Sequence, residues 1–297
     1  MRRWSRPSTS SASPPRSSPS RARCPPATTP RPTATSSSAG SPAAWAPLTR
    51  DPGRAALLVD FDGTLAPIVD DPASAAPVPE AVSALGVLAT RLGRVAVVTG
   101  RPVAYVRRHL PDPTVGVVGQ YGLEHDLGGD VVTDPRAWPF EDAVAAAAAA
   151  AAARWPGLTV ERKGRVAVTV HWRTTPDAAP TESALRALAE AHGLARFPGR
   201  MACELRPPLP VDKGTAVAAL LDEPALTAAA FAGDDHGDLA AFAALADWAA
   251  RASGRVGMRV AVASEESPPE LVDAADLVVE GPSAFAVQLV ALAAALN

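Results

Sequence analysis

Ala55-Ala56-Leu57-Leu58-Val59-Asp60-Phe61-Asp62-Gly63-Thr64-Leu65 decides the fold class. Its first five residues are an unbroken apolar run, the pattern of a strand buried on both faces of a parallel sheet. The run ends on Asp60 and Asp62. Side chains two apart on an extended chain point the same way, so both carboxylates face one crevice. Gly63 permits a sharp exit, and Thr64 adds a hydroxyl. Crowded carboxylates repel unless a cation or a proton lies between them. The stretch therefore predicts a divalent-metal site with a nucleophile and an acid/base beside it.

From residue 54 onward, strand-like and helix-like segments alternate, as in a doubly wound sheet. The strands are expected at Ala55–Asp60, Arg94–Thr99 and Val115–Val118, with helices at Pro79–Leu92 and Pro102–His109. Near Asp126 the pattern changes to amphipathic helices, Phe140–Arg154 and Pro176–His192. Half-buried antiparallel strands join them at Leu158–Glu161, Arg165–Trp172 and Arg200–Leu205. The first pattern then resumes: helix Lys213–Leu221, strand Ala228–Ala232, helix Asp238–Leu245, strands Met258–Val262 and Leu277–Val279, helix Pro282–Leu296. The expected fold class is α/β, a doubly wound, mostly parallel core with an inserted small α/β cap domain. The expected domains are a core of residues 51–125 and 209–297 and a cap of residues 126–208.

Residues 1–50 differ from the rest. They hold eight arginines and no Asp or Glu, so the net charge of −3 divides into +8 here and −11 elsewhere. An Arg/Ser/Pro-rich segment of this kind is expected to be a disordered tail, too poor in apolar surface to fold. A targeting segment and a start placed too far upstream are the other readings. The acidic body argues against a nucleic-acid partner, because neutralising phosphates needs a basic face. No apolar run is long enough to span a bilayer, so no membrane partner is expected and a cytoplasmic location is. Cys24 and Cys203 are too few for a disulfide framework and lack metal-ligand spacing.

Only two of the 28 basic residues are lysines, Lys163 and Lys213. Against so strong an arginine bias, a retained lysine is a candidate for a place where a compact ammonium is needed rather than a planar fork, with chance survival as the other reading. Four strand ends or helix starts carry polar signals: Asp60 with Asp62, Thr99-Gly100-Arg101, Lys213, and Gly233-Asp234-Asp235-His236-Gly237-Asp238. Each alone has a plain structural reading, such as an N-cap for Thr99 or a solvated acidic turn for Asp234 to Asp238. Their order in one α/β pattern is the stronger signal, because ligands bind at the carboxyl ends of parallel strands.

In these residues the chain resembles the haloacid-dehalogenase-like phosphotransferases, whose signature is a DxDGT strand end, a Ser/Thr strand end, a Lys and an acidic strand end. The cap and its junctions are similar to trehalose-6-phosphate phosphatases: Gly119 to Glu124, Glu161-Arg162-Lys163, His171-Trp172-Arg173, Glu204-Leu205-Arg206-Pro207 and Asp212-Lys213-Gly214. The sequence departs from that family's pattern at Tyr121, where His is common, at the turn GDDHGDL, and at Ala202. The resemblance implies hydrolysis of trehalose 6-phosphate through an aspartyl-phosphate. Asp60, Asp62, Thr99 and Lys213 are then catalytic. Arg101, Glu161, Lys163, Arg173, Arg200 and Glu204 bind substrate. Asp60, Asp62, Asp234, Asp235 and Asp238 form the surroundings of a Mg²⁺ cofactor. The implied partners are a small-molecule sugar phosphate and a trehalose-phosphate synthase that supplies it, with the chain acting as a monomer. Two alternatives stay open: a phosphatase for glucosylglycerol, mannosylglycerate or sucrose phosphate, and a non-catalytic sugar-phosphate-sensing module. A substrate panel separates the first, and loss of the nucleophile would mark the second.

Overall fold

Leu57 and Val59 pack into one hydrophobic cluster while Ala56 and Leu58 pack into another on the opposite face. This explains why the strand they share is apolar at every position. That strand lies at the centre of a sheet covered by helices on both sides. The computed structural model describes residues 35–36, 42–199 and 201–297, and these belong to one compact unit.

Strands β1 (Thr35–Ser36), β2 (Ala55–Val59), β3 (Arg94–Val98), β4 (Gly116–Gly119), β5 (Glu124–Asp126) and β6 (Val132–Thr133) come first in the chain. β7 (Thr159–Lys163), β8 (Ala167–His171), β9 (Ala195–Gly199) and β10 (Ala202–Arg206) follow. β11 (Ala228–Gly233), β12 (Val256–Ala263) and β13 (Leu277–Glu280) complete the described set. The larger sheet has the order β1-β13-β12-β11-β2-β3-β4-β5-β6. It is parallel from β1 to β4 and antiparallel beyond. From β2 the chain winds outward through β3 and β4, then returns to β11 on the other side of β2. The switch in winding direction therefore falls between β2 and β11, where open α/β sheets form their ligand crevice.

One face of this sheet is covered by helices Pro79–Ala89 and Gly281–Ala295, through Leu85, Leu88, Phe285 and Leu289. The other is covered by helices Lys213–Leu221 and Asp238–Ala250, through Val217, Leu220, Phe242 and Leu245. The smaller sheet, β7-β8-β10-β9, is antiparallel throughout. Helices Glu141–Arg154 and Glu182–Ala191 cover one of its faces, with Ala147, Ala151, Leu185 and Leu188 against Val168, Val170, Cys203 and Leu205. The alanines of the first helix lack bulk, so helix and sheet can approach closely. Among the described residues, no helix is long and apolar enough to cross a membrane.

Two expectations need correction. The core sheet continues through β5 and β6, so it extends past residue 126, where the cap was expected to begin. The strands EHD and VT are too short and polar to show a two-residue period in the sequence. The tail expectation fails at its end. Trp45 and Leu48 are fully buried in the core cluster beside Phe285 and Leu289. The Trp45 indole N–H donates to the buried Gln288 side chain at 3.3 Å. The average polarity of the first fifty residues conceals these two anchors. Residues 1–34 and 37–41 lie outside the described residues. Removing the Trp45 side chain is expected to cost about 3–5 kcal/mol, the range for large-to-small core changes. Urea denaturation of Trp45→Ala checks it, and an unchanged midpoint would mean that the segment adds nothing to the core.

Candidate active site

β11, β2 and β3 are neighbours, so the residues that follow them are neighbours too. These are Asp234, Asp60 and Thr99. The Asp60 amide donates to the Ala232 carbonyl at 2.8 Å, which extends the ladder to the edge of the crevice. Gly63 has a φ of 79°, and a Cβ there would collide with the Asp234 carboxylate. Glycine is thus required twice, for the backbone and for the space. Thr64 donates its hydroxyl to Asp234 at 3.1 Å. Asp212, an N-cap, starts the helix that carries Lys213 at its first position.

The Lys213 ammonium lies 2.9 Å from Asp60, 2.7 Å from Asp238 and 3.7 Å from Asp235. Burial opposes its charge, but Asp238 and Asp60 outweigh that and hold it ionised. The second Asp238 oxygen accepts from the amides of Asp234 and Asp235, at 3.0 and 3.1 Å. Asp235 accepts from Gly237 N at 2.8 Å and keeps a largely exposed side chain. Asp60, Asp234 and Asp238 each offer a carboxylate oxygen within 4.8 Å of the others. One ammonium does not balance this group. Burial and the Asp238 charge push Asp234 up to about 8. Burial also raises Asp60 well above the ordinary carboxylate range, against the pull of Lys213. A compact set of hard oxygen donors short of positive charge fits an Mg²⁺-type cation.

Asp62 stands apart from this set. Both of its oxygens accept from the Arg101 guanidinium, each at 2.7 Å. Arg101 also donates to the Pro72 carbonyl at 2.7 Å and stacks 4.4 Å above the Tyr105 ring. The expectation that Arg101 binds substrate therefore meets a side chain whose donors are already engaged by protein groups. Thr99 accepts from the Arg101 amide at 3.1 Å. The amides of Asp62 and Gly100 donate to no described residue, so both are free to meet an anion.

The smaller sheet turns its polar face toward this crevice. The register aligns Glu161, Thr169 and Glu204 across β7, β8 and β10. Glu161 pairs with His171 at 2.8 Å. Burial raises the Glu161 pKa, but the His171 bond and nearby cations win and set it below its ordinary value. Lys163 pairs with Glu204 at 2.8 Å. Burial works against the Lys163 charge, and the Glu204 charge more than restores it. The Gln120 side chain donates to the Lys163 carbonyl at 2.5 Å, joining the core strand end to β7.

Two adjoining cavities result. One, of about 180 Å³, is lined by Asp60, Asp62, Thr99, Tyr121, Lys213 and Asp234 among others. The second, of about 240 Å³, is lined by Arg101, Glu161, His171 and the loop residues Ile68, Val69 and Pro72, among others. Asp62, Ile68, Lys163, Arg173 and Asp235 line both. A larger groove of about 510 Å³ lies elsewhere, between helices Pro79–Ala89 and Gly281–Ala295. It lacks a converging set of charged groups.

The sequence profile described as trehalose-phosphatase matches residues 58–274. The chain belongs to the trehalose-phosphatase family. It is 37% identical over 168 residues to a trehalose-phosphate phosphatase of Mycobacterium avium (strain 104), covering 54% of this chain and 42% of that one. It is 35% identical over 173 residues to the Mycobacterium leprae (strain TN) protein of the same description, covering 56% and 40%. It therefore spans less than half the length of these curated relatives. A solved trehalose-6-phosphate phosphatase related protein has a TM-score of 0.63 at 26% identity, covering 79% of this chain and 95% of that one. The C-terminal domain of the C. albicans trehalose-6-phosphate phosphatase has a TM-score of 0.69 at 23% identity, covering 88% and 99%, a likeness of fold.

Set against the trehalose-phosphatase resemblance, the structure brings Asp60, Asp62, Thr99, Lys163, Arg173, Lys213, Asp234 and Asp235 to one cavity. Glu161 and Arg101 line the adjoining one. Glu204 lines neither and stands behind Lys163. Arg200 lies outside the described residues. Among the expected metal surroundings, the Asp62 side chain is turned away onto Arg101 and Asp235 faces outward. Sequence reasoning missed Tyr121 and Arg206. The Arg206 guanidinium is buried between the rings of Tyr121 and Phe197, at 4.2 and 3.7 Å. The departure from His at position 121 was the available signal.

Proposed function

We propose that the chain hydrolyses trehalose 6-phosphate to trehalose and phosphate. The observation that carries this reading is the pair of adjoining cavities. One has the carboxylate-lysine cluster of a phosphoryl site, and the other has the mixed acceptors and donors that a hydroxyl-rich sugar requires. In this reading the segment between β6 and residue 208 is the cap that reads the sugar, and the remainder from residue 42 is the phosphatase core. A cytoplasmic monomer supplied by a trehalose-phosphate synthase belongs to the same reading. The intact Asp60, Lys213 and Asp234 argue against a sensing module.

Asp60 attacks phosphorus, and the bond from phosphorus to the sugar oxygen breaks. Asp62 gives that oxygen its proton. Water then attacks the aspartyl-phosphate, Asp62 takes the water's proton, and phosphate leaves with Asp60 restored. Asp62 must release Arg101 to do this. Lys213, Thr99 and the free Asp62 and Gly100 amides bind phosphoryl oxygens, where stabilisation is mostly electrostatic. Asp60 and Asp234 would hold Mg²⁺, with Asp238 fixing their surroundings and Asp235 at the rim. When bound, the ion supplies positive charge for the phosphoryl oxygens. Glu161, Lys163 and Arg173 contact sugar hydroxyls, Arg200 is proposed to complete that set, and Glu204 acts from behind by holding Lys163 in place.

Phosphate release over a panel of phosphorylated disaccharides and hexoses, with Mg²⁺ and with a chelator, tests the reading. Trehalose 6-phosphate is expected to give the highest kcat/KM, and the chelator to abolish it. A preference for sucrose phosphate or a glycerol glycoside phosphate would overturn the substrate, and full activity in the chelator would remove the metal.

Glu204→Gln is expected to lower kcat/KM for trehalose 6-phosphate about a hundredfold by displacing Lys163, since misplacement on the order of 1 Å has that cost. A small aryl phosphate, which uses no sugar contact, should be hydrolysed nearly as before. Equal losses on both substrates would assign Glu204 to the fold instead.

A further inference from the structure

Gln120, Tyr121 and Gly122 take φ values of 53°, 60° and 109°, the one run of three left-handed residues in the described chain. A tyrosine in that region is strained, and such strain persists only where the surroundings hold it in place. Here the turn is bonded to the Thr99-Gly100-Arg101 turn. Tyr121 N donates to the Thr99 carbonyl and Gln120 N to the Arg101 carbonyl, each at 3.0 Å. The ring is held from two sides. Its hydroxyl end lies over Gly100, where a Cβ would come within 2.6 Å of the phenolic oxygen. The Arg206 guanidinium, 4.2 Å from the ring centroid, holds the ring as a stacked cation. Arg206 Nε is buried without a hydrogen bond, and Nη1 lies 3.8 Å from Glu204 Oε1, an ion pair that holds the guanidinium from behind.

This constrained side chain lines the smaller cavity with Asp60, Thr99 and Lys213, and its hydroxyl end lies against Gly100, another lining residue. Tyr121 does not line the cavity that carries Glu161 and His171. The hydroxyl makes no hydrogen bond with a described residue. The Glu204 charge and burial push its pKa up to about 12, so it is a neutral donor across the physiological range.

We propose that the Tyr121 hydroxyl donates a hydrogen bond to a non-bridging phosphoryl oxygen, completing the cradle of Thr99, the Gly100 amide and Lys213, with Arg206 as its positioning residue. This rests on the reading that the smaller cavity takes the phosphoryl group. A group buried in the cap thereby orients a donor at the phosphorus end of the site, while the sugar is read elsewhere.

Tyr121→Phe removes the hydroxyl and keeps the ring, its stacking and its backbone. Measured with Mg²⁺ present, kcat is expected to fall about 100- to 1000-fold, the scale for losing one oxyanion donor. The fall should be the same on trehalose 6-phosphate and on p-nitrophenyl phosphate. Inhibition by orthovanadate, a phosphoryl mimic, should weaken about tenfold, the scale of one hydrogen bond. Unchanged kcat and vanadate inhibition would overturn the proposal. So would a loss confined to the sugar substrate, which would put the hydroxyl on the sugar. If Tyr121→Phe does not fold, Tyr121→His and Tyr121→Leu take its place. Histidine accepts a left-handed backbone comparatively well and keeps a donor, so tenfold higher kcat for the His variant supports the proposal and equal kcat overturns it. An unsubstituted protein inactive on every phosphate ester would instead overturn the reading of the cavity.

Discussion

Asp60→Asn is expected to abolish phosphate release, by about a thousandfold or more, while the protein stays folded. The substitution keeps the shape of the side chain and removes the lone-pair charge that attacks phosphorus; loss of a nucleophile has effects on this scale. Lys213 retains Asp238 at 2.7 Å as a partner, so the ammonium is not stranded. Neutralising one of several crowded carboxylates also relieves repulsion among those that remain. Steady-state turnover, together with acid quenching to look for a phosphorylated protein, checks the result. Turnover within about tenfold of the parent, a difference on the order of 1.4 kcal/mol in barrier, would remove Asp60 from the chemistry.

Lys213→Met is expected to remove both activity and a large part of the stability. Lys213 is 4% exposed and touches three carboxylates. Removing one partner of a buried charge group costs about 3–5 kcal/mol, because the charges left behind are uncompensated. Lys213→Arg should not rescue activity. A planar fork cannot stand in for a compact ammonium that meets Asp60 at 2.9 Å and Asp238 at 2.7 Å from different directions. A denaturation midpoint unchanged in Lys213→Met would show that the carboxylates are neutralised by some other route.

The central strands were legible because being buried on both faces forces an apolar residue at every position, as at Ala55 to Val59. The convergence of polar residues at their ends was legible because Asp60, Thr99 and Asp234 each directly follow such a run. What escaped depends on partners distant in the chain. Nothing near Asp62 announces that Arg101 grips both of its oxygens. Glu204 alternates on its strand as a pocket residue would, yet Lys163 stands between it and the cavity. β9 reads ARFPG, and its proline argues against a strand unless the strand is an edge, as this one is. Trp45 and Leu48 were concealed by the polar average of their surroundings. In each case a contact distant in the chain decided what the local pattern did not show.

The pairing of Ala55 with Ala228 has a consequence for how the protein is made. The two strands that frame the crevice are separated in the chain by four further strands of the larger sheet and the whole antiparallel insert. During synthesis, Asp60 leaves the ribosome long before Lys213, and Asp234 follows later still. A nascent chain stopped between them has Asp60 but neither the Lys213 ammonium that pairs with it nor the strand that closes the sheet beside it. Joining ends so far apart carries a loop-closure penalty and slows folding. The proposed catalytic group is therefore completed only late in synthesis, once the strand that precedes Asp234 has joined the sheet beside β2.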